Sequence, residues 1–530
     1  MTQTIDVNST AGNALPIREH IQLLVVGAGP AGIAAALEAA RQGLRVTLVD
    51  EHPVDHASMG LDIPFHFGQR MSGAVRNRGR MMEQMVESNA AIAEAFDAGI
   101  DVRLGAAVWG LFANRPGMRW LQRSVVGLTD GPECWYASFD AAILATGRRD
   151  VGLAFPGWQL PGVLGVTAAQ ALLHRYGALE GDKLVVLGSG AEATMFASAA
   201  MAAGRQIVAL VEAAEACVDK EGCDRLAAAG VPILTDAMIL QAKGGIDGVD
   251  GVDVGKPGDA GSAIELACDT VVLGVGVAPV IELFDVAGAR IVFAPERGGH
   301  VPLVDADGRT SVPLLFAAGD CAGVAAQKTR DDRIARQEGC RAARAAATAL
   351  KEEASAAWPS PRASASAPAP APLHLLTWAA ASLGVADAQT HICQCEEVSL
   401  VDLLGVRPPR YLAQDQPAMR ARDIHTLAAD GTLNQDQIKR LTRAGMGPCQ
   451  GRRCREQIAA ALAAATGTLL ADIPLPSYRA PVRPLPLSAF AAAEEAASLA
   501  ENCQVWFGIE SQWVPFWEPL PEQAGREEVP

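Results

Sequence analysis

The chain has 530 residues, too many for one hydrophobic core, so two to four domains are expected. Half of the residues are apolar, a fifth are charged and the net charge is −16, which fits a soluble globular protein and argues against non-specific binding to nucleic acid. No apolar run reaches the roughly 18 residues of a membrane span, and residues 1–20 lack the basic start and apolar stretch of a signal peptide. The expected compartment is the cytoplasm, where thiols stay reduced.

After a 1–20 extension, residues 21–51 read as strand, glycine turn, helix and strand, the second strand ending on an acid. A helix is expected around 80–98, then a buried strand at 139–147 running into a polar turn. Residues 183–212 repeat the strand, glycine turn, helix and strand of the opening, a duplication of architecture. A further apolar strand at 313–325 runs into Gly319-Asp320, and a long Ala/Arg-rich helix is expected near 332–350. The Pro/Ala/Ser-rich stretch 351–373 reads as a linker with no capacity for a core. A small cysteine-bearing domain (374–470) follows, then an extended proline-rich arm (471–530).

Gly27-Ala28-Gly29-Pro30-Ala31-Gly32 is G-x-G-x-x-G between a strand and a helix, and Asp50 closes the next strand 23 residues after Gly27. In that context the motif predicts a dinucleotide site. Gly27 allows the tight turn, Gly29 lets backbone approach a pyrophosphate, and Gly32 lets helix pack on strand. The helix N-terminus faces the phosphates, and Asp50 or Glu51 accepts from ribose hydroxyls. The second glycine turn, Gly188-Ser189-Gly190-Ala191-Glu192-Ala193, has a less well placed acid in Glu212 and a negative charge, Glu192, in its first helical turn. NAD(P), another nucleotide, or an empty structural fold all remain open for it. No C-x-x-C or C-x4-C precedes residue 440, which excludes a disulfide reductase.

Seven of the 11 cysteines are scattered, at 134, 217, 223, 268, 321, 340 and 503, and suit small buried apolar roles. The other four form C-x-C at Cys393 and Cys395 and C-x4-C at Cys449 and Cys454, with 53 residues between the pairs. Four thiolates serve structural zinc or an iron–sulfur cluster. C-x-C is unusual for a zinc knuckle, and Gly445, Gly447 and Gly451 offer backbone N–H groups to sulfur. Arg452 and Arg453 add positive charge, and Cys454 opens a helix whose dipole favours a thiolate. A [2Fe–2S] cluster fits best, with zinc or no metal as the alternatives.

Ala145-Thr146-Gly147 and Gly319-Asp320, in order after the first glycine motif, resemble the glutathione-reductase-like flavoproteins with two dinucleotide folds, over roughly residues 20–350. The resemblance implies an α/β fold, with an FAD-binding domain from 21–180 and 290–350 and a second, NAD-like dinucleotide fold at 181–289. It also implies that Thr146 and Gly147 approach FAD, that Asp320 binds its ribityl or pyrophosphate side, and that a helix after Gly323 points its positive end at the flavin ring. Gln69 and Arg70 are expected to border the flavin; His66, nearby, is expected to pack. CQCEEV (393–398) with GMGPCQGRRC (445–454) is similar to the bacterioferritin-associated-ferredoxin-like [2Fe–2S] domain, a small α-rich unit, which assigns Cys393, Cys395, Cys449 and Cys454 as ligands. The gap between the pairs is longer than usual, an insertion around 405–423.

FAD domain, cluster domain, FPGWQLPGVLGVTAAQALL (155–173) and the SYRAPVRPLPL arm (477–487) together resemble the α subunit of heteromeric FAD-dependent amine dehydrogenases. That family includes opine oxidases, hydrogen cyanide synthase and dye-linked proline or hydroxyproline dehydrogenases. The resemblance implies a glycine-oxidase-like β subunit with its own FAD, a small third subunit in some members, FMN at a subunit interface, and transfer of electrons to a quinone-type acceptor. Any membrane association would come through that acceptor. This chain offers no evident amine-oxidising site, so catalytic residues are unassigned. The rival expectation is a stand-alone NAD(P)H-dependent flavin/[2Fe–2S] reductase.

Overall fold

A computed structural model describes residues 16–53, 78–114, 121, 123–351, 374–408 and 421–491. Gln69, Arg70 and His66, the linker at 352–373, most of the 405–423 insertion and the chain beyond 491 lie outside the described residues.

The first half is built on a seven-stranded sheet. β1 (Ile17–Val26), β2 (Val46–Asp50), β3 (Asp101–Leu104), β4 (Ala107–Phe112), β5 (Ser124–Thr129) and β6 (Cys134–Leu144) are ordered 3-2-1-6-5-4. β1 pairs in parallel with β2 and β6, β4 and β5 form an antiparallel flank, and the strand Leu315–Ala317 returns from far along the chain to pair with β6. Leu23, Leu24 and Val25 are wholly buried because β1 is central and covered on both faces. The chain leaves β1 toward β2 on one side and later fills β6 on the other. Their carboxyl ends therefore mark the crevice where such sheets take ligands. Helix Pro30–Arg41 packs against helix Asp332–Lys351, where Gly339 leaves no room for a β-carbon, which would stand 2.0 Å from the Ala31 carbonyl oxygen.

β7 (Arg148–Asp150) leads to β8 (Val163–Gly165), which joins an all-parallel second sheet with β9 (Lys183–Leu187), β10 (Gln206–Val211), β11 (Ile233–Leu234) and β15 (Thr270–Leu273) in the order 11-10-9-15-8. This sheet thus takes its edge strand from upstream of residue 181. Between β11 and β15 lies the antiparallel meander β12 (Met238–Gly245), β13 (Gly248–Gly255) and β14 (Ile264–Ala267). β16 (Val277–Pro279) pairs antiparallel with β7 and forms the crossover between the two halves. The doubly wound α/β architecture with two dinucleotide folds is the one expected.

Two details differ from expectation. The helix read at 80–98 is two helices, Arg78–Glu87 and Ala90–Asp97, because the Asn89 side chain caps the second by accepting from the Ala91 N–H at 3.2 Å. After Gly323 the chain makes only a short helix, Ala326–Arg330, before Asp331 interrupts it and the long helix 332–351 begins.

Beyond the linker, helices His374–Val385 and Arg455–Thr466 pack on each other, with the short hairpin His391–Cys393 and Val398–Ser399 beside them. They do not close a separate core. Trp378, Ile392, Leu403, Ile458 and Leu462 share one buried cluster with Leu153, Phe155, Trp158 and the inner faces of β9, β10, β12 and β13. Trp158 donates its indole N–H to the His391 carbonyl at 2.8 Å, and Gln457 donates to that of Ile392 at 2.9 Å.

Candidate functional site

The three flavin-side motifs converge at the carboxyl ends of β1 and β6. Gly27 has φ +106°, and a β-carbon there would sit 2.2 Å from the Ala145 carbonyl oxygen, so glycine is required both for the turn and for the approach of the 145–147 turn. A β-carbon on Gly32 would lie 1.8 Å from the Gly27 carbonyl oxygen, and one on Gly319 2.8 Å from the Ala31 β-carbon. Gly29 faces open space, and the helix it opens has Pro30 in its first turn and no side-chain cap. The uncapped N-terminus with free volume before Gly29 fits a pyrophosphate.

Asp50 ends β2 beside this turn. One oxygen accepts from the Ala28 N–H, the other from the backbone N–H and ring of His52 at 2.8 and 2.9 Å. Burial alone would raise its pKa, but the His52 contacts and the Ala28 N–H outweigh it and hold the carboxyl at about 2. Glu51 points elsewhere and pairs with Arg483 of the C-terminal arm. Of the two acids expected at the ribose, Asp50 is thus beside the glycine turn and Glu51 is engaged by the arm.

On the opposite side Thr146 donates to the Val280 carbonyl at 2.9 Å, and Asp320 sits 3.5 Å from the Arg148 guanidinium. Burial raises the Asp320 carboxyl, against the pull of Arg148 and Lys328. Lys328 donates to the carbonyls of Gly319 and Gly323 at 3.1 and 2.7 Å and to Glu338 at 2.9 Å, while Glu338 accepts from the Gly319 N–H at 2.9 Å. This lysine–glutamate pair, which fixes the Gly319–Gly323 turn, carries no signal in the sequence.

At the second glycine turn the chain's own groups fill the polar positions. Glu212 lies one residue beyond β10, whereas Asp50 is the last residue of β2; it is fully buried and accepts from Ser189 and from His374, each at 2.6 Å, and from the Ala214 N–H at 2.8 Å. The Asp219 N–H donates to the Ser189 carbonyl at 2.8 Å, drawing the following loop over the turn. Glu192 pairs with Arg148 at 3.1 Å and accepts from Thr329 at 2.7 Å.

The four cysteines come together at the start of helix Arg455–Thr466. Cys393, Cys449 and Cys454 are buried and Cys395 is partly so; none is in a disulfide. Cys454 is the helix N-cap residue, as expected. The sulfurs of Cys395 and Cys449 are 3.5 Å apart, and Cys393 interacts with both Cys395 and Cys454. The Gly445 N–H points at the Cys393 sulfur at 3.4 Å, and a β-carbon on Gly447 would stand 2.7 Å from the Cys395 sulfur. Neighbouring Cys393, then burial, push the Cys395 thiol up to about 11, and neighbouring Cys395, then burial, push Cys449 further still. Among the described residues no set of three or more His, Cys, Asp or Glu side chains is arranged to hold a single metal ion. A [2Fe–2S] cluster divides its four thiolates between two irons. Sulfurs brought together as 395 with 449 and 393 with 454 have the donor chemistry it takes.

This sulfur nest is joined directly to the flavin-side turn. Arg149, two residues beyond Gly147, donates to the Arg452 carbonyl at 3.2 Å and pairs with Glu282, while Arg455 approaches the same Glu282 oxygen at 3.3 Å. Sequence reasoning misses Arg148, Arg149 and Glu282 entirely, because nothing local marks them.

Residues 21–349 match the pyridine nucleotide-disulphide oxidoreductase family, and residues 413–494 match the sarcosine oxidase A3 domain. The second match spans Cys449 and Cys454 but carries no ferredoxin description. An opine oxidase subunit of Rhizobium meliloti is 27% identical over 90% of this chain and 88% of its own. The HcnB subunit of hydrogen cyanide synthase from Pseudomonas aeruginosa is 27% identical over 89% of this chain and 98% of its own. The sarcosine oxidase alpha subunit of Rhizobium meliloti is 24% identical over 89% of this chain but only 42% of its own. The crystal structure of L-proline dehydrogenase from P. horikoshii covers 89% of this chain and 79% of that one with a TM-score of 0.55 at 20% identity, a likeness of fold.

Proposed function

The chain belongs to the pyridine nucleotide-disulphide oxidoreductase family, and from that premise we propose that it is the electron-transferring FAD and [2Fe–2S] subunit of a heteromeric amine dehydrogenase. The relatives named as subunits of opine oxidase, sarcosine oxidase and hydrogen cyanide synthase support a CH–NH donor and a partner polypeptide. The partner proposed is a glycine-oxidase-like β subunit. FMN at the shared interface and a small third subunit are the further components, with a quinone-type acceptor downstream.

The observation that carries this reading is the direct link between the two cofactor sites, Arg149 donating to Arg452 between two of the four cysteines. FAD would be held by Gly27 to Gly32, Asp50, Thr146, Gly147, Gly319 and Asp320, and the cluster by Cys393, Cys395, Cys449 and Cys454. Bound together, these groups supply the change from two-electron to one-electron transfer. The residues of the chain supply the rest. Asp50 stays ionised beside the phosphate-binding turn, the Gly445 N–H supports a sulfur, and Lys328 with Glu338 fixes the turn that carries Asp320.

A stand-alone NAD(P)H reductase would need the second fold open to a nucleotide. The engagement of Glu212 by Ser189 and His374, and of Glu192 by Arg148 and Thr329, weighs against that. Anaerobic spectroscopy of the purified chain tests the reading. NADH and NADPH should leave the flavin oxidised, while the amine-oxidising partner with its substrate should bleach it and then the iron–sulfur band. Rapid bleaching by NADH, or zinc in place of iron, would refute the proposal.

A further inference from the structure

Glu282 lies in the wall between the flavin-side turn and the sulfur nest, with its side chain 3% exposed. Two guanidiniums face it. Arg149 comes from β7, immediately after the Thr146–Gly147 turn, and Arg455 follows Cys454 directly and is 1% exposed. Burial would raise the Glu282 pKa, but Arg149 and Arg455, then Arg483 and Arg452, hold it at about 2, so the carboxylate stays charged. Both of its oxygens and both terminal nitrogens of Arg455 lack an aligned hydrogen bond, so the contact is ionic rather than directional. Arg455 also lies 4.7 Å from the Tyr478 ring centre and pairs with Glu456. Burying these charges adds little to stability, since buried ion pairs commonly do no better than apolar side chains of the same volume. The placement asks for another reason.

We infer that the Arg149–Glu282–Arg455 bridge sets how strongly the cluster site attracts an electron, making these three positioning residues for electron transfer. The inference rests on the function proposed above. A cluster that accepts one electron gains one unit of negative charge. Fixed charges nearby and out of water therefore shift its potential, positive ones upward and negative ones downward. Glu282 offsets part of the two arginines' attraction and holds the site at an intermediate value. The bridge also connects the flavin turn to the ligand loop, so that both sites respond to the same charges.

The test is an EPR-monitored redox titration of the intact, iron-loaded chain and of two variants. Glu282→Gln keeps the volume and removes the negative charge, so the midpoint potential should rise. Arg149→Gln removes a positive charge held by Glu282 and the Arg452 carbonyl, and the potential should fall. A tenfold change in the electron-sharing equilibrium in each case is about 59 mV for one electron. A purely structural role would lower iron content or melting temperature without moving the potentials in opposite directions. Potentials that stay put, or move the same way in both variants, overturn the inference. Should Glu282→Gln fail to fold, the sign for Arg149→Gln alone decides it. The absence of any iron–sulfur signal in the parent chain would instead refute the proposed function, and so the two failures are distinguishable.

Discussion

At the scale of single residues the fold holds Asp50 and Glu282 ionised although both are buried, while burial raises Asp320. Asp50 is the clearest case, its pKa lowered from 3.8 to about 2. A depressed carboxyl contributes stability that is complete above the unfolded value and is lost as pH falls through the folded one. The Asp50 contribution, about 2 kcal/mol at roughly 1.4 kcal/mol per unit, is therefore present from about pH 4 upward and disappears toward pH 2. Urea unfolding of Asp50→Asn should show a flatter acid limb than the parent chain, with the difference largest near neutrality. If the two curves run parallel down to pH 2.5, the linkage is wrong. The glycine motif beside Asp50 is legible in the sequence because its demands are local: a turn at Gly27, a close contact at Gly32. The Glu282 bridge is not, because its partners are more than a hundred residues away in either direction and an isolated Arg or Glu carries no periodicity.

At the scale of elements, strands and glycine turns follow from apolar runs and their ends, and helix joints are harder to read. Asn89 is a recognised capping residue, so the break between Glu87 and Ala90 has a signal that the reading of one helix around 80–98 passes over. Helix His374–Val385 shows the same limit. Its place after the linker points to the small domain, yet His374 reaches Glu212 at the end of β10 and Trp378 is fully buried against the second sheet's side of the core. Trp378→Ala should cost about 3–5 kcal/mol, read by chemical denaturation, and should disturb the nucleotide-fold half as well as the cysteine-bearing part. An effect confined to the cysteine-bearing part would contradict that packing.

For the whole molecule, the linker composition suggests two independent bodies, and composition alone reports where a chain cannot form a core, not what its flanks touch. The flanks share one. The C-terminal arm tightens the union: Val482 donates to the Trp109 carbonyl at 2.7 Å, Arg452 donates to the Val482 carbonyl, and Arg483 pairs with Glu51. Truncation after Lys351 should therefore yield aggregated material on size exclusion rather than a free flavoprotein, because Leu153, Phe155 and Trp158 would lose their cover. A monodisperse, flavin-loaded fragment would count against the shared core.

That shared core bears on how the chain is made. On the ribosome the second sheet is complete once β15 has emerged, but the helices that roof its greasy side come last. At translation speeds of about 5–20 residues per second, the wait for helix Arg455–Thr466 is roughly ten seconds or more. Throughout that interval the nascent polypeptide carries a sticky, half-built surface, so its yield in the cell should depend on holding chaperones and on steady elongation.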